Sequence, residues 1–292
     1  MPRANSQATS RAATARRASH AKRTSATTLT ARTADKHAVY ESAVQNPEAE
    51  VNFVDRVYTR LRGKRPSLIR EDFCGTAATC CEWVRRRPTN RAIGLDLHAP
   101  TLANGRVRHL AKLPEAAQPR VTLLQRNVMT PGADASGVDA VLAMNFSYWI
   151  FRERAQLLEY FRIVRSTLAK DGIFFLDHYG GHEALQIRPE RRRCKGFTYI
   201  WDQQRLNPIT HEYLCRIHFE FRDGTRMNNA FTYHWRLWML PEVVDLLRDA
   251  GFRHVTVYWE GDDGNGGGNG VFRPATRAEP CATYVTYLTA HD

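Results

Sequence analysis

Ile69-Arg70-Glu71-Asp72-Phe73-Cys74-Gly75-Thr76-Ala77 decides how the rest of the chain is read. The apolar pair Leu68-Ile69 leads into an acidic residue and then a turn of small residues. Next comes Ala77-Ala78-Thr79-Cys80-Cys81-Glu82-Trp83-Val84, a run of helical character. A strand, a tight turn and a helix follow from that pattern. Such a unit aims backbone N–H groups and a helix N-terminus at a ligand. Twenty-one residues after Gly75 a second apolar run, Ala92-Ile93-Gly94-Leu95, ends in Asp96. The spacing puts a carboxylate at the tip of the neighbouring parallel strand, where it accepts hydrogen bonds from a ribose. A purely structural turn is the competing reading.

The same alternation continues outward. Residues 100–113 read as a helix with Leu102, Val107 and Leu110 inward, and 121–128 as a third strand. Residues 138–144 form a near-continuous apolar run suited to a sheet centre, ending in Asn145-Phe146-Ser147-Tyr148-Trp149. An amphipathic helix buries Leu157, Leu158, Phe161, Val164 and Leu168 and is stopped by Asp171-Gly172. A fifth strand, 173–176, delivers Asp177-His178-Tyr179 to the same rim. Strands alternating with helices from 67 to 177 argue for a parallel α/β sheet. Upstream, 48–61 sets Val51, Val54, Val57, Tyr58 and Leu61 on one helical face.

Glu71-x-Phe73-Cys74-Gly75-Thr76-Ala77 resembles the first motif of the class I S-adenosylmethionine-dependent methyltransferases. Phe73 stands where the family has its first glycine, and Ala77 replaces the third. At Phe73 this implies either a backbone with φ below zero or an aromatic wall on the cofactor. The resemblance implies a Rossmann-like, doubly wound, mostly parallel seven-stranded sheet, with 254–259 and 282–289 as its closing antiparallel pair. It also implies S-adenosylmethionine as cofactor. The turn residues Glu71, Phe73, Cys74, Gly75, Thr76 and Ala77 would contact it, with Asp96 and Leu97 at the ribose. Asn127 and Val128 would lie at the adenine, Asn127 taking the place of an acid. Asn145 and Phe146 at the fourth strand end, and Tyr40 from the N-terminal segment, complete the set. Asn145-x-x-Tyr148 also echoes the Asn-Pro-Pro-Tyr motif of amide and exocyclic nitrogen methyltransferases, without its prolines.

Residues 180–238 break the alternation. Tyr213, Cys215, Ile217, Phe219 and Phe221 alternate with polar residues, Asp223-Gly224 turns, and Phe231, Tyr233, Trp235 and Leu237 alternate back. This antiparallel hairpin is expected to form a β lid over the catalytic edge, with Trp149, Tyr233, Trp235 and Arg236 toward the substrate. Its apolar face reads equally as a small core or a homodimer contact. Between the last strands, 261–270 holds six glycines. It carries no calcium-loop spacing, and it reads as a flap over the pocket.

The 292 residues, 43% hydrophobic and 10% aromatic, suit one large α/β domain. No apolar run approaches the roughly 20 residues of a membrane helix. Six cysteines without metal-ligand or CxxC spacing read as reduced thiols in a cytoplasmic protein. Of the net charge of +12, residues 1–36 carry +7, with eight Lys/Arg against Asp35. That segment reads as a disordered basic tail before a methyltransferase domain over 37–292. A weak polyanion contact and an organellar import signal are the alternatives.

Methyl transfer requires alignment of a nucleophile and exclusion of water. His178 is the first choice as general base, because its ordinary pKa lies near neutrality. Tyr148, Tyr179 and Glu260 are the other rim candidates. No metal is expected. The leading function is transfer of a methyl group to N or O of a small molecule. A nucleic-acid or protein methyltransferase using the basic arm, and a non-catalytic binding protein on the same scaffold, compete with it.

Overall fold

The computed structural model describes residues 29–264 and 267–292, so 1–28 of the expected tail lie outside it. Five strands form the parallel part of the main sheet: β1 (Leu68–Asp72), β2 (Arg91–Asp96), β3 (Val121–Gln125), β4 (Val138–Ala143) and β5 (Leu168–Gly180). Their order is β5-β4-β1-β2-β3. The chain therefore leaves β1 to one side and returns on the other, opening a crevice beyond the carboxyl ends of β1 and β4.

Helices cover both faces. On one, α2 (Pro47–Arg62), α3 (Ala78–Arg86) and α4 (Ala99–Arg108) bury Val51, Val54, Val57, Trp83 and Leu102. On the other, α5 (Arg154–Thr167) and α6 (Leu240–Asp249) bury Leu157, Phe161, Val164, Leu246 and Leu247. The first segment, α1 (Lys36–Val44), is capped by Asp35, whose carboxylate accepts from the N–H groups of His37 and Ala38. Helix α2 starts at the Asn46 cap with Pro47 behind it and stops at Gly63 in the left-handed region, φ 68°. Each fully buried aliphatic side chain on these faces contributes roughly 1.5–3 kcal/mol.

Three expected helix positions shift. Leu61 is exposed in the last turn of α2, and Val107 faces solvent. The inward side of α4 is instead Leu102 and Gly105, and a Cβ at Gly105 would collide with the Thr76 backbone. Helix α5 ends at Thr167, so Leu168 begins β5, and the register break between Val138 and Ala140 absorbs the extra residues before Ile173.

Beyond β5 the chain builds a separate antiparallel sheet: β6 (Pro189–Arg193), β7 (Phe197–Leu206), β8 (Glu212–Phe221) and β9 (Arg226–Arg236). The expected hairpin is its β8–β9 half. Leu29, Ala31 and Ala34 pack against this sheet, and the Ala31 N–H donates to Thr225 Oγ1 at 2.9 Å. Residues 29–36 of the expected tail are thus structured.

The main sheet ends with β10 (His254–Asp262), β11 (Gly268–Pro274) and β12 (Tyr284–His291), in the order β11-β10-β12-β5. It has eight strands, one more than expected. The extra strand, β11, comes from the glycine-rich stretch expected as a flap. There the Glu260 carboxylate lies where a Cβ on Gly268 would be, and accepts the Gly270 N–H at 2.7 Å. Glu260 thereby holds the hairpin. Among the described residues no helix is long and apolar enough to cross a membrane.

Candidate active site

The turn after β1 keeps the backbone of a glycine loop with a single glycine, Gly75. Phe73, Gly75 and Ala77 all lie in the left-handed region, with φ 58°, 54° and 59°. For a non-glycine residue that conformation costs roughly 1–2 kcal/mol. Phe73 therefore does not have the negative φ that its side chain favours. Its ring, partly buried, packs against the core on Phe151 at 6.1 Å and Tyr160 at 5.8 Å. Below it a buried network sets the strand: Arg70 pairs with Asp72 at 2.8 Å, and Tyr160 donates to Asp72 at 2.9 Å.

The loop is pinned by carboxylates. Asp96 Oδ2 accepts the Gly75 N–H and Asp96 Oδ1 the His98 N–H, each at 2.8 Å. Leu97 beside it is 62% exposed. The Cys74 N–H donates to the Leu95 carbonyl, tying the turn to β2. Glu71 is buried and accepts the Cys80 N–H at 3.1 Å. Burial, reinforced by Glu50 nearby, pushes its pKa up to about 8. Thr76 Oγ1 donates to Glu41 of α1.

At the end of β4, Asn145 and Phe146 are also left-handed, φ 58° and 56°. Their N–H groups donate to the two oxygens of Asp177, at 2.8 and 2.9 Å. Burial raises the Asp177 pKa to about 7, against the pull of those two N–H groups. The third-strand pair behaves differently. Asn127 is exposed and its Oδ1 accepts the Met129 N–H at 2.9 Å, while Val128 is buried in the core.

A cavity of about 170 Å³ opens between this rim and the lid sheet. Asn145, Phe146 and Tyr179 line it from the main sheet and Tyr40 from α1. Tyr199, Trp201, Tyr233 and Trp235 line it from the lid, with Glu190 from β6. The fold thus brings together Tyr40, Asn145, Phe146, Tyr179, Tyr233 and Trp235 from the expected set. Trp149 lies just behind, fully buried, its ring 5.7 Å from Trp235.

His178 and Tyr148 are placed elsewhere. His178 continues the row of Phe174 and Leu176 into the core and is fully buried. Its Nδ1 lies 2.9 Å from Tyr148 Oη, and burial lowers its pKa to about 3. Neither side chain lines the cavity. Arg236, next to Trp235, points to the other face of its strand, paired with Glu242 at 3.0 Å and stacked 3.8 Å over Trp238.

Four groups were not read as site residues from the sequence: Glu41, Glu190, Tyr199 and Trp201. The aromatic alternation Phe197, Tyr199, Trp201 signals β7. Glu190 sits in Pro189-Glu190-Arg191-Arg192-Arg193, which has no apolar period to announce a strand. All six cysteines are free. Among the described residues no cluster of three or more His, Cys, Asp or Glu is arranged to hold a metal ion.

No family model matches the chain, and no curated protein matches it in sequence. Solved structures do match in shape. An S-adenosylmethionine-dependent methyltransferase from Clostridium acetobutylicum aligns at TM-score 0.65 and 13% identity, over 87% of this chain and 97% of its own. The amino pentose methyltransferase CalS10 from Micromonospora echinaspora aligns at 0.61 and 16%, over 88% and 96%. The sugar N-methyltransferase KedS8 from Streptoalloteichus aligns at 0.59 and 15%, over 98% and 99%. The fold of this chain is that of the S-adenosylmethionine-dependent methyltransferases, from end to end of those structures.

Proposed function

We propose that the chain is an S-adenosylmethionine-dependent methyltransferase that methylates N or O of a small-molecule acceptor. One observation carries the reading: Asp96 at the tip of β2 accepts the Gly75 N–H at 2.8 Å, and a cavity opens at Asn145 and Phe146, at the same carboxyl edge of the sheet after β4. The residues present fit the cofactor. Asp96 Oδ2 accepts the Gly75 N–H and Oδ1 the His98 N–H, and a carboxylate has about four acceptor positions, so capacity remains for ribose hydroxyls. A Cβ at Gly75 would meet nothing closer than 3.9 Å, so the turn presents open backbone. When bound, the sulfonium supplies an activated methyl group.

The chain's own residues then have three tasks. Asp96 and the Gly75 turn hold the nucleoside. Asp177, through the Asn145 and Phe146 N–H groups, fixes the rim where the two ligands meet. The aromatic lid excludes water and orients the acceptor. Tyr179 is the one expected catalytic residue that reaches the cavity, and it acts by orienting the acceptor. His178 and Tyr148 support the rim from behind. The reading is tested by incubating the purified full chain with methyl-labelled S-adenosylmethionine and a panel of small amines and alcohols. Acceptor-dependent formation of S-adenosylhomocysteine supports it; cofactor turnover no greater than in acceptor-free controls across the panel speaks against it.

A further inference from the structure

Among the described residues Glu190 is the one formally charged side chain lining the cavity, in a chain of net charge +12. Strand register puts it there. Glu190 lies opposite Trp201, Trp201 opposite Ile217, and Ile217 opposite Phe231, and directly opposed residues share one face of a sheet. Beside that row, Tyr233 and Trp235 bring their ring centroids within 4.3 Å of each other and within 5.9 and 6.1 Å of Trp201. Tyr199 and Tyr179 complete the aromatic wall. The nearest cation to Glu190, Arg188, is 3.5 Å away and directs the same nitrogen to Glu183. Arg192 lies over the Tyr199 ring and donates to the Ala43 carbonyl, and neither arginine lines the cavity.

We propose that this cavity recognises the methyl acceptor as a cation, a small amine that enters as its ammonium and is held between the Glu190 carboxylate and the faces of Tyr199, Trp201, Tyr233 and Trp235. The proposal rests on the transferase reading above and names its acceptor class. A cation is attracted to the electron-rich face of an aromatic ring, and the carboxylate adds a charge-assisted contact. A neutral hydroxyl acceptor would leave the cavity side of that carboxylate without an opposite charge, since Arg188 reaches it only at 3.5 Å and the Glu190 side chain is 37% exposed. Size agrees: at about 170 Å³ the cavity falls below the roughly 300–1,000 Å³ of pockets for drug-sized ligands, and suits an ammonium head with its substituents.

The ammonium must lose a proton before its nitrogen has a lone pair to offer. Burial pushes the Tyr179, Tyr199 and Tyr233 hydroxyls above their usual range, so they stay protonated near neutral pH. The proton leaves to solvent water at the cavity mouth, and the nitrogen then reacts as the free amine.

The test titrates the full chain, in saturating S-adenosylhomocysteine, with choline and with its neutral carbon isostere 3,3-dimethylbutan-1-ol. Choline is expected to bind at least tenfold more tightly. Glu190→Gln is expected to weaken choline about tenfold while leaving the isostere and S-adenosylhomocysteine unchanged. Equal affinities for the two probes, or no choline binding by protein that binds S-adenosylhomocysteine, would overturn the proposal and leave the transferase reading standing. Failure to bind S-adenosylhomocysteine would overturn the transferase reading, and the acceptor assignment with it.

Discussion

Glu41 Oε1 accepts a 2.6 Å hydrogen bond from Thr76 Oγ1, joining the first helix to the turn after β1. Arg108 reaches the other carboxylate oxygen at 2.8 Å, and His109 shares Oε1 at 3.0 Å. Burial works against ionisation, but the hydrogen bonds from His109, Arg108 and Thr76 outweigh it and hold the pKa at about 2. This clamp sets α1, and with it Tyr40, at the mouth of the cavity.

Removing the clamp should loosen both helix and turn. Glu41→Ala deletes an acceptor for three donors, with an expected loss of about 2 kcal/mol and a melting temperature lower by about 5 °C. A depressed carboxylate pKa stabilises fully above the unfolded value near 4.5 and fades as pH falls toward about 2. The difference between wild type and variant should therefore shrink below about pH 4.5. Thermal unfolding from pH 3 to 7 reads this directly, and a pH-independent difference would contradict it.

Asp177 should matter through the rim it holds. Asp177→Asn offers one acceptor where two N–H groups need one each, at an expected cost of about 2–3 kcal/mol near pH 5. A folded pKa raised to about 7 costs stability as pH rises through the window from about 4 to about 7. Denaturant titrations should show the wild type's advantage over the variant narrowing across that window. An advantage that widens with pH would mean that Asp177 is held as the anion.

His178 gives the opposite slope. It stays neutral when folded, with a pKa near 3, whereas the unfolded chain protonates it below about 6.5. Its contribution is complete above pH 6.5 and declines as pH falls from there toward 3. His178→Phe should flatten the acid limb of the stability profile, at a cost of roughly 1–3 kcal/mol for the Tyr148 hydroxyl left unpartnered. An unchanged acid limb, followed by circular dichroism, would count against the buried neutral ring.

Ala77 occupies a glycine's conformation as the first residue before α3. Ala77→Gly relieves left-handed strain of about 1–2 kcal/mol and gives back part of it as chain entropy. The expected net gain is about 0.5–1 kcal/mol, or about 2 °C in melting temperature. A lower melting temperature would show that the methyl group's packing outweighs the strain.

These residues mark how far the sequence could be read. The turn at Gly75 and the carboxylate at Asp96 were legible because strand, turn and helix each have their own local pattern. The β8–β9 alternation was legible for the same reason. Phe73 misled because a side chain reports the usual preference of its own backbone, whereas φ here is imposed by the turn and compensated by core packing. His178 misled because its chemistry is visible in a letter but its burial depends on which face of β5 it takes. Glu190 was invisible because β6, Pro189–Arg193, is a short edge strand rich in arginine with no apolar alternation of its own. Contacts between segments distant in sequence, such as Glu41 with Thr76, leave no local trace.

The most direct test of the central claim is calorimetric titration of wild type and Asp96→Ala with S-adenosylhomocysteine. The account predicts a single site in the wild type, weakened at least tenfold in the variant with folding intact, as loss of a ribose-binding carboxylate of about 1.4 kcal/mol or more requires. No binding to the wild type, or equal binding to both proteins, would contradict it.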